Sequence, residues 1–257
     1  MPVEVVMVVS LPQATRALLL DIEGTTTSIA FVYDTLFPFA RAQLAGFLER
    51  SWAETAVQAD VALVRAQALE DHGLGQGAAP LVPDDLSDAA REATLANLLA
   101  QMDADRKTTG LKAIQGKVWV DGYSSGDLLG HVYEDVPRNL EAWRARGLRI
   151  SIYSSGSITA QKLLFRHSIA GDLTPVLAGY YDTTTGPKKE AASYTTIARK
   201  MGVEPGQVTF LTDSLDEARA ADEAGVRAVL TLRPGNAPLP DHPFPTITSF
   251  DELVEAP

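Results

Sequence analysis

Ala17–Thr27 reads ALLLDIEGTTT, and the reading of this stretch decides the fold. Four apolar residues end on Asp21, then come Ile22, Glu23, Gly24 and three threonines. A short apolar run closed by polar turn residues is the mark of a buried strand. Asp21 then stands at the strand's carboxyl end. The same arrangement recurs in the second half of the chain. Leu148–Tyr153 (LRISIY) runs into Ser154-Ser155-Gly156, and Val208–Thr212 (VTFLT) runs into Asp213. Val226–Leu232 (VRAVLTL) runs into Arg233-Pro234-Gly235. Helical patterns separate these runs over Asn139–Arg146, Thr159–His167, Glu190–Met201 and Asp216–Ala224. Strand–helix alternation predicts βαβ units, so the fold class is α/β, with a parallel sheet covered on both faces.

One interval breaks the alternation. From Ile29 to Glu134 the periodicity is helical, and no buried strand is evident. Leu36, Phe39, Ala40, Leu44, Phe47 and Leu48 fall on one helical face. Ala89–Met102 and Leu111–Ile114 also read as helix, and Gly73–Asp85 (GLGQGAAPLVPDD) as a loop between helices. The expected organisation is an α/β core of residues 17–28 plus 136–257, a helical insertion of residues 29–135 and an N-terminal extension of residues 1–16. The apolar start of that extension (VVMVVSL) lacks the basic flank of a signal peptide and reads as a short strand or a tail.

Composition narrows the chemistry. The chain has 257 residues, no cysteine and a net charge of −11. Without cysteine there are no disulfides, thiolate zinc sites, iron–sulfur clusters or cysteine nucleophile. An excess of 33 Asp+Glu over 22 Lys+Arg argues against a duplex nucleic-acid binder. No stretch approaches the roughly 18 apolar residues of a membrane span. A cytoplasmic protein, independent of nucleic acid and membranes, is expected.

The polar clusters after the strands carry the chemistry, because ligands of open parallel sheets bind beyond the strands' carboxyl ends. Asp21 alone reads most simply as a turn or cap residue. With Glu23 nearby and Asp213 on another strand end, it reads as a nucleophile or a hard-metal ligand. Three carboxyls at one rim repel unless a cation sits among them, and oxygen donors without thiol or clustered imidazole point to Mg²⁺. His72, His131, His167 and His242 are scattered and read as structural or surface residues. Ser154, Ser155 and Gly156 suit a phosphate at a helix start, or a plain cap. Lys188 or Lys189, in Gly186-Pro187-Lys188-Lys189-Glu190, can neutralise a phosphoryl oxygen.

This ordered set resembles the haloacid dehalogenase-like (HAD) phosphohydrolases, and more closely the enolase-phosphatase family, or acireductone synthases, of methionine salvage. The segments that carry the resemblance are Leu18–Arg41, Asp105–Trp119, Ile152–Phe165, Tyr181–Ala198, Phe210–Gly225 and Arg233–Leu239 (RPGNAPL). DIEGTTT and YSSGS are its most specific motifs. The resemblance implies a HAD-like Rossmannoid core with an all-helical cap inserted after the first strand. It implies conversion of 2,3-diketo-5-methylthiopentyl 1-phosphate to the enol phosphate, then loss of phosphate to give acireductone. By the same resemblance Asp21 is the nucleophile, and Asp21, Glu23 and Asp213 hold Mg²⁺. Ser154, Ser155 and Lys188 bind the phosphate, with Lys188 rather than Lys189 at the family's lysine position.

The enolisation base is left open between Glu23 and a cap residue. Glu217 is set outside the site as a residue that orients the lysine or the helix. A second Ser-Ser-Gly, Ser124–Gly126, reads as structural. The implied partner is a small phosphorylated diketone, and the chain is expected to act as a monomer. The alternatives are a Mg²⁺-dependent phosphatase of the same fold acting on another small phosphomonoester, and a catalytically silent binding protein. Retention of Asp21, Glu23, Lys188 and Asp213 speaks against the silent reading.

Overall fold

Leu18, Leu19 and Leu20 have essentially no solvent exposure. Consecutive strand residues point to opposite faces, so full burial requires cover on both faces and neighbours on both edges. The computed structural model, which describes residues 8–75 and 79–255, supplies both. The elements in chain order begin with β1 (Val9–Leu11) and β2 (Ala17–Leu20). A π-helical turn, Phe31–Leu36, leads into α1 (Phe37–Ser51). Then follow α2 (Thr55–Gly73), α3 (Asp88–Asp103), α4 (Thr109–Ser125) and α5 (Asp135–Ala145). The second half runs β3 (Arg149–Tyr153), α6 (Ile158–Arg166), β4 (Gly179–Tyr181), α7 (Ala191–Met201) and β5 (Val208–Thr212). It closes with α8 (Leu215–Glu223), β6 (Arg227–Thr231), β7 (Thr246–Ile247) and β8 (Leu253–Glu255).

Among the described residues the main sheet has six parallel strands in the order β4-β3-β2-β5-β6-β7. β2 lies at its centre, with Leu20 opposite Ile152 on one side and Leu211 on the other. That register sets the carboxyl ends of β2, β3 and β5 level. The core contains Tyr153, Tyr194 and Phe210, with ring centroids 5.6 Å (Tyr153–Tyr194) and 5.2 Å (Tyr194–Phe210) apart. Burying one leucine or aromatic of this kind contributes on the order of 2 kcal/mol.

The chain divides into two compact units, one of Tyr33–Leu128 and one of the flanking segments. The Tyr33–Leu128 unit is helical throughout its regular structure, from α1 to α4. Ser87 caps α3 by accepting the Ala90 N–H, and Thr108 caps α4 by accepting the Leu111 N–H. The short pattern at Leu111–Ile114 therefore belongs to a much longer helix. Ser124 and Ser125 form its last turn, and the Ser125 hydroxyl donates to Asp127 at 2.7 Å.

Several elements differ from the sequence reading. β4 and β7 carry no periodic signal because they are two- or three-residue edge strands. β1 and β8 form a separate parallel pair that joins the two ends of the chain, a contact no local pattern can announce. Within the apolar start, Val9–Leu11 is strand, while residues 1–7 lie outside the described residues, as do residues 76–78 of the predicted Gly73–Asp85 loop.

Candidate active site

Asp21 leaves β2 with its backbone N–H still in the sheet, donating to Leu211 O at 2.9 Å. Beyond it the chain folds into a tight knot. The N–H groups of Thr25, Thr26 and Thr27 all donate to Ile22 O, at 3.2, 3.0 and 2.9 Å. All three threonines are fully buried. Buried hydroxyls need partners. Thr26 donates to Asp21 O (3.1 Å), and Thr27 bonds His131 Nδ1 (2.9 Å). The Ser28 N–H also points at that nitrogen (3.2 Å), so Nδ1 is an acceptor and the ring holds a turn. Burial pushes the His131 imidazole down, towards the neutral form. His131 thus braces the turn at Thr27 and Ser28.

Gly24 is needed where it stands. Its φ is +64°, and a Cβ there would meet Asp213 Oδ2 at 2.3 Å. The missing side chain lets Asp213, just beyond β5, close on the Asp21 loop.

The Asp21 carboxylate is buried and held mainly through one oxygen. Oδ1 accepts the Ile22 N–H at 2.7 Å and meets Lys188 Nζ at 2.7 Å. Oδ2 lies 3.3 Å from the Thr212 hydroxyl, which is closer to Glu217 Oε2, at 2.9 Å. Lys188 is shared: its Nζ is also 2.7 Å from Glu217 Oε2. Burial opposes the lysine's charge, but Asp21 and Glu217 outweigh it and hold its pKa above the ordinary value. The Lys188 loop is fixed by the aromatic core beneath it. Tyr194 donates to Lys188 O (2.6 Å) and Tyr153 to Gly186 O (2.7 Å). Gly186 has φ +156°, and a Cβ there would lie 2.2 Å from Ser193 Oγ. Lys189, the next residue, turns to solvent and pairs with Asp216.

Ser154 follows β3 and is buried, with its Oγ accepting the Gly156 N–H at 3.2 Å. Ser155 is exposed beside it. Asp182, which the sequence reading did not single out, braces this loop by accepting the Ile158 N–H at 3.3 Å. Ser157, rather than Ser154 or Ser155, is the residue that caps α6. The level strand ends thus bring Asp21, Lys188 and Glu217 into contact, with Asp213 against the Asp21 loop.

Comparison with known proteins gives the family. A family model described as haloacid dehalogenase-like hydrolase matches residues 15–225. The chain is 48% identical over 243 residues to enolase-phosphatase E1 of Synechococcus elongatus, covering 95% of this chain and 99% of that one. It is 45% identical over 258 residues to enolase-phosphatase E1 of Danio rerio, covering 95% and 97%. The chain belongs to the enolase-phosphatase family of HAD-like hydrolases. A crystal structure similar to this member of the family is that of the Unknown transcript 4 protein of Saccharomyces cerevisiae. The TM-score is 0.74 at 32% identity, over 92% of this chain and 99% of that one.

The acids at this rim suit a hard divalent cation. Burial, together with Asp21 and Glu23 nearby, pushes the Asp213 carboxyl up to about 7. Burial and Asp21 likewise raise Glu217. Lys188 is already divided between two carboxylates, so negative charge at the rim exceeds what it balances. Among the described residues no three acidic or imidazole side chains are gathered into a ready-made metal cage. Asp21 Oδ1 is instead engaged with Lys188. No helix of the described residues is long and apolar enough to cross a membrane.

Proposed function

We infer that this chain is a bifunctional enolase-phosphatase acting in methionine salvage. It converts 2,3-diketo-5-methylthiopentyl 1-phosphate to the enol phosphate, then removes phosphate to give acireductone, 1,2-dihydroxy-3-keto-5-methylthiopentene. The observation that carries this reading is a buried Asp21, at a strand end, bound by a buried lysine in a chain of this family.

In this reading Asp21 attacks phosphorus. A bond forms between its carboxylate oxygen and phosphorus, the phosphorus–oxygen bond to the enol breaks, and that electron pair leaves with the enol oxygen. Water then cleaves the aspartyl-phosphate. An anionic nucleophile and an anionic ester repel, and Lys188 offsets that repulsion where it stands against Asp21. The neighbouring Asp21 and Glu217 carboxylates favour its charged form. Ser154 and Ser155 bind the phosphoryl oxygens. Glu23, half-buried in the loop, is one candidate for the enolisation base, since its longer side chain reaches further than an aspartate would, and a residue of the helical insertion is the other. Mg²⁺ would be held by Asp21, Asp213 and Glu23, the last through its backbone carbonyl. When bound it would supply positive charge to the phosphate and to the enolate oxygen. Glu217 positions Lys188 and does not touch the substrate. We read the chain as a cytoplasmic monomer whose partner is this small phosphorylated diketone, with no role for nucleic acid.

A substrate panel tests the reading. The kcat/KM for the diketone phosphate is expected to exceed that for other small phosphomonoesters by about 100-fold or more. Equal values across the panel would mean a simple phosphatase.

A further inference from the structure

The RPGN motif, Arg233–Asn236, takes no part in the chemistry above, yet it reaches the Asp21 loop. The amides of Thr25, Thr26 and Thr27 turn inward to Ile22 O, and the carbonyls of Gly24, Thr25 and Thr26 take donors from elsewhere in the chain. Gly24 O accepts from Asn236 Nδ2 at 2.9 Å and from the Thr231 hydroxyl at 3.0 Å. Thr25 O accepts from Arg233 Nε at 3.1 Å. Thr26 O accepts from the Tyr133 N–H at 3.1 Å. Thr25 Oγ1 also lies 3.0 Å from Thr231 Oγ1. Since Thr231 spends its proton on Gly24 O, Thr25 is the donor of that pair.

The two side chains are themselves anchored. The Arg233 guanidinium lies 4.6 Å from the ring centroids of both Tyr133 and Phe250. Its Nη1 donates to Asp135 Oδ2 at 2.7 Å and to Thr248 O at 3.0 Å. Asp135 Oδ2 accepts further bonds from Ser249 Oγ and the Phe250 N–H. Asn236 Nδ2 is also 3.2 Å from Thr231 O. It stands where a Gly24 Cβ would meet both it and Asp213.

We propose that Arg233 and Asn236 are positioning residues that fix the carbonyls of Gly24 and Thr25 and thereby hold Asp21 in line for attack. They act through backbone groups and touch no reacting atom. This rests on the reading of Asp21 as nucleophile. A loop whose carbonyls are held by anchored donors keeps a carboxylate within the few tenths of an ångström that in-line attack demands.

Asn236→Ala tests this directly, because it removes one donor without stranding a charge. We expect kcat to fall about 10- to 100-fold, with KM within about twofold of the parent. Arg233→Lys keeps a cation for Asp135 but loses the fork that reaches Thr25 O, and the same split is expected. An unchanged kcat in both variants overturns the proposal. A raised KM at unchanged kcat also overturns it and makes Asn236 a substrate contact. Hydrogen exchange at the amides of Thr25, Thr26 and Thr27 separates this from the functional reading. It should quicken in Asn236→Ala whatever the substrate is, and unchanged exchange contradicts the clamp even if the parent proves inactive on the diketone phosphate.

Discussion

Lys188 and Lys189 are neighbours in sequence, and each forms an ion pair of nearly the same length, 2.7 and 2.8 Å. Their surroundings differ. Lys188 is 9% exposed and meets Asp21 and Glu217 at 7% and 12% exposure. Lys189 is 67% exposed and its partner Asp216 54%. Bond length therefore says little about consequence. In water an ion pair gains modestly and is screened, typically less than about 1 kcal/mol. In a buried setting each charge depends on its partner, and losing one strands the other. The buried region concentrates charge at the proposed nucleophile, and the exposed one decorates a helix start.

The contrast is broken or sharpened by substitution. Asp21→Asn should have the largest effect, abolishing phosphate release by about 10⁴-fold or more while thermal unfolding shows an intact fold. Full turnover by that variant would remove Asp21 from the nucleophile's place. Chelation should come next. Excess EDTA is expected to stop turnover and Mg²⁺ to restore it, whereas metal-independent turnover would leave the rim acids unexplained. Lys188→Ala should lose about 10²- to 10³-fold in kcat, and Lys189→Ala should stay within about twofold. The reverse ranking in steady-state kinetics would reverse the assignment of the two lysines.

The smallest effect belongs to a surface pair, Arg138 with Asp251. The Arg138 guanidinium and Asn139 hold the Asp251 carboxyl down at about 2, below its ordinary value of 3.8. The native state thus favours the ionised form. That contribution is complete above the ordinary range and is lost as pH falls through about 2. Both side chains are about half exposed, so Asp251→Asn should cost less than about 1 kcal/mol at pH 7, and less still as pH falls towards and through about 2. A larger loss in denaturant titrations would mean that surface pairs here weigh more than their exposure allows.

The sequence revealed the parts of this molecule that are local. β2 and β5 coincide with their predicted spans, and β3 agrees within a residue, because two-sided burial leaves continuous apolar runs. Asp21, Ser154 and Asp213 were readable because each directly follows such a run. Lys188 needed the family resemblance, since spacing alone does not separate it from Lys189. The edge strands β4 and β7 and the β1–β8 pair were not readable, being short or dependent on distant partners. Glu217 was set outside the site as a residue that orients the lysine or the helix. Here its place in α8 turns it to Lys188. Arg233 and Asn236 went unnoticed as donors because they act on backbone carbonyls, which leave no trace in residue type.

The most direct test of the central claim follows both half-reactions at once. The diketone phosphate is mixed with protein and Mg²⁺, ultraviolet absorbance reports the conjugated enol species, and released phosphate is measured in parallel. The account predicts that absorbance rises and phosphate appears in step with acireductone, and that both are lost in Asp21→Asn. Phosphate release without any conjugated product would contradict it.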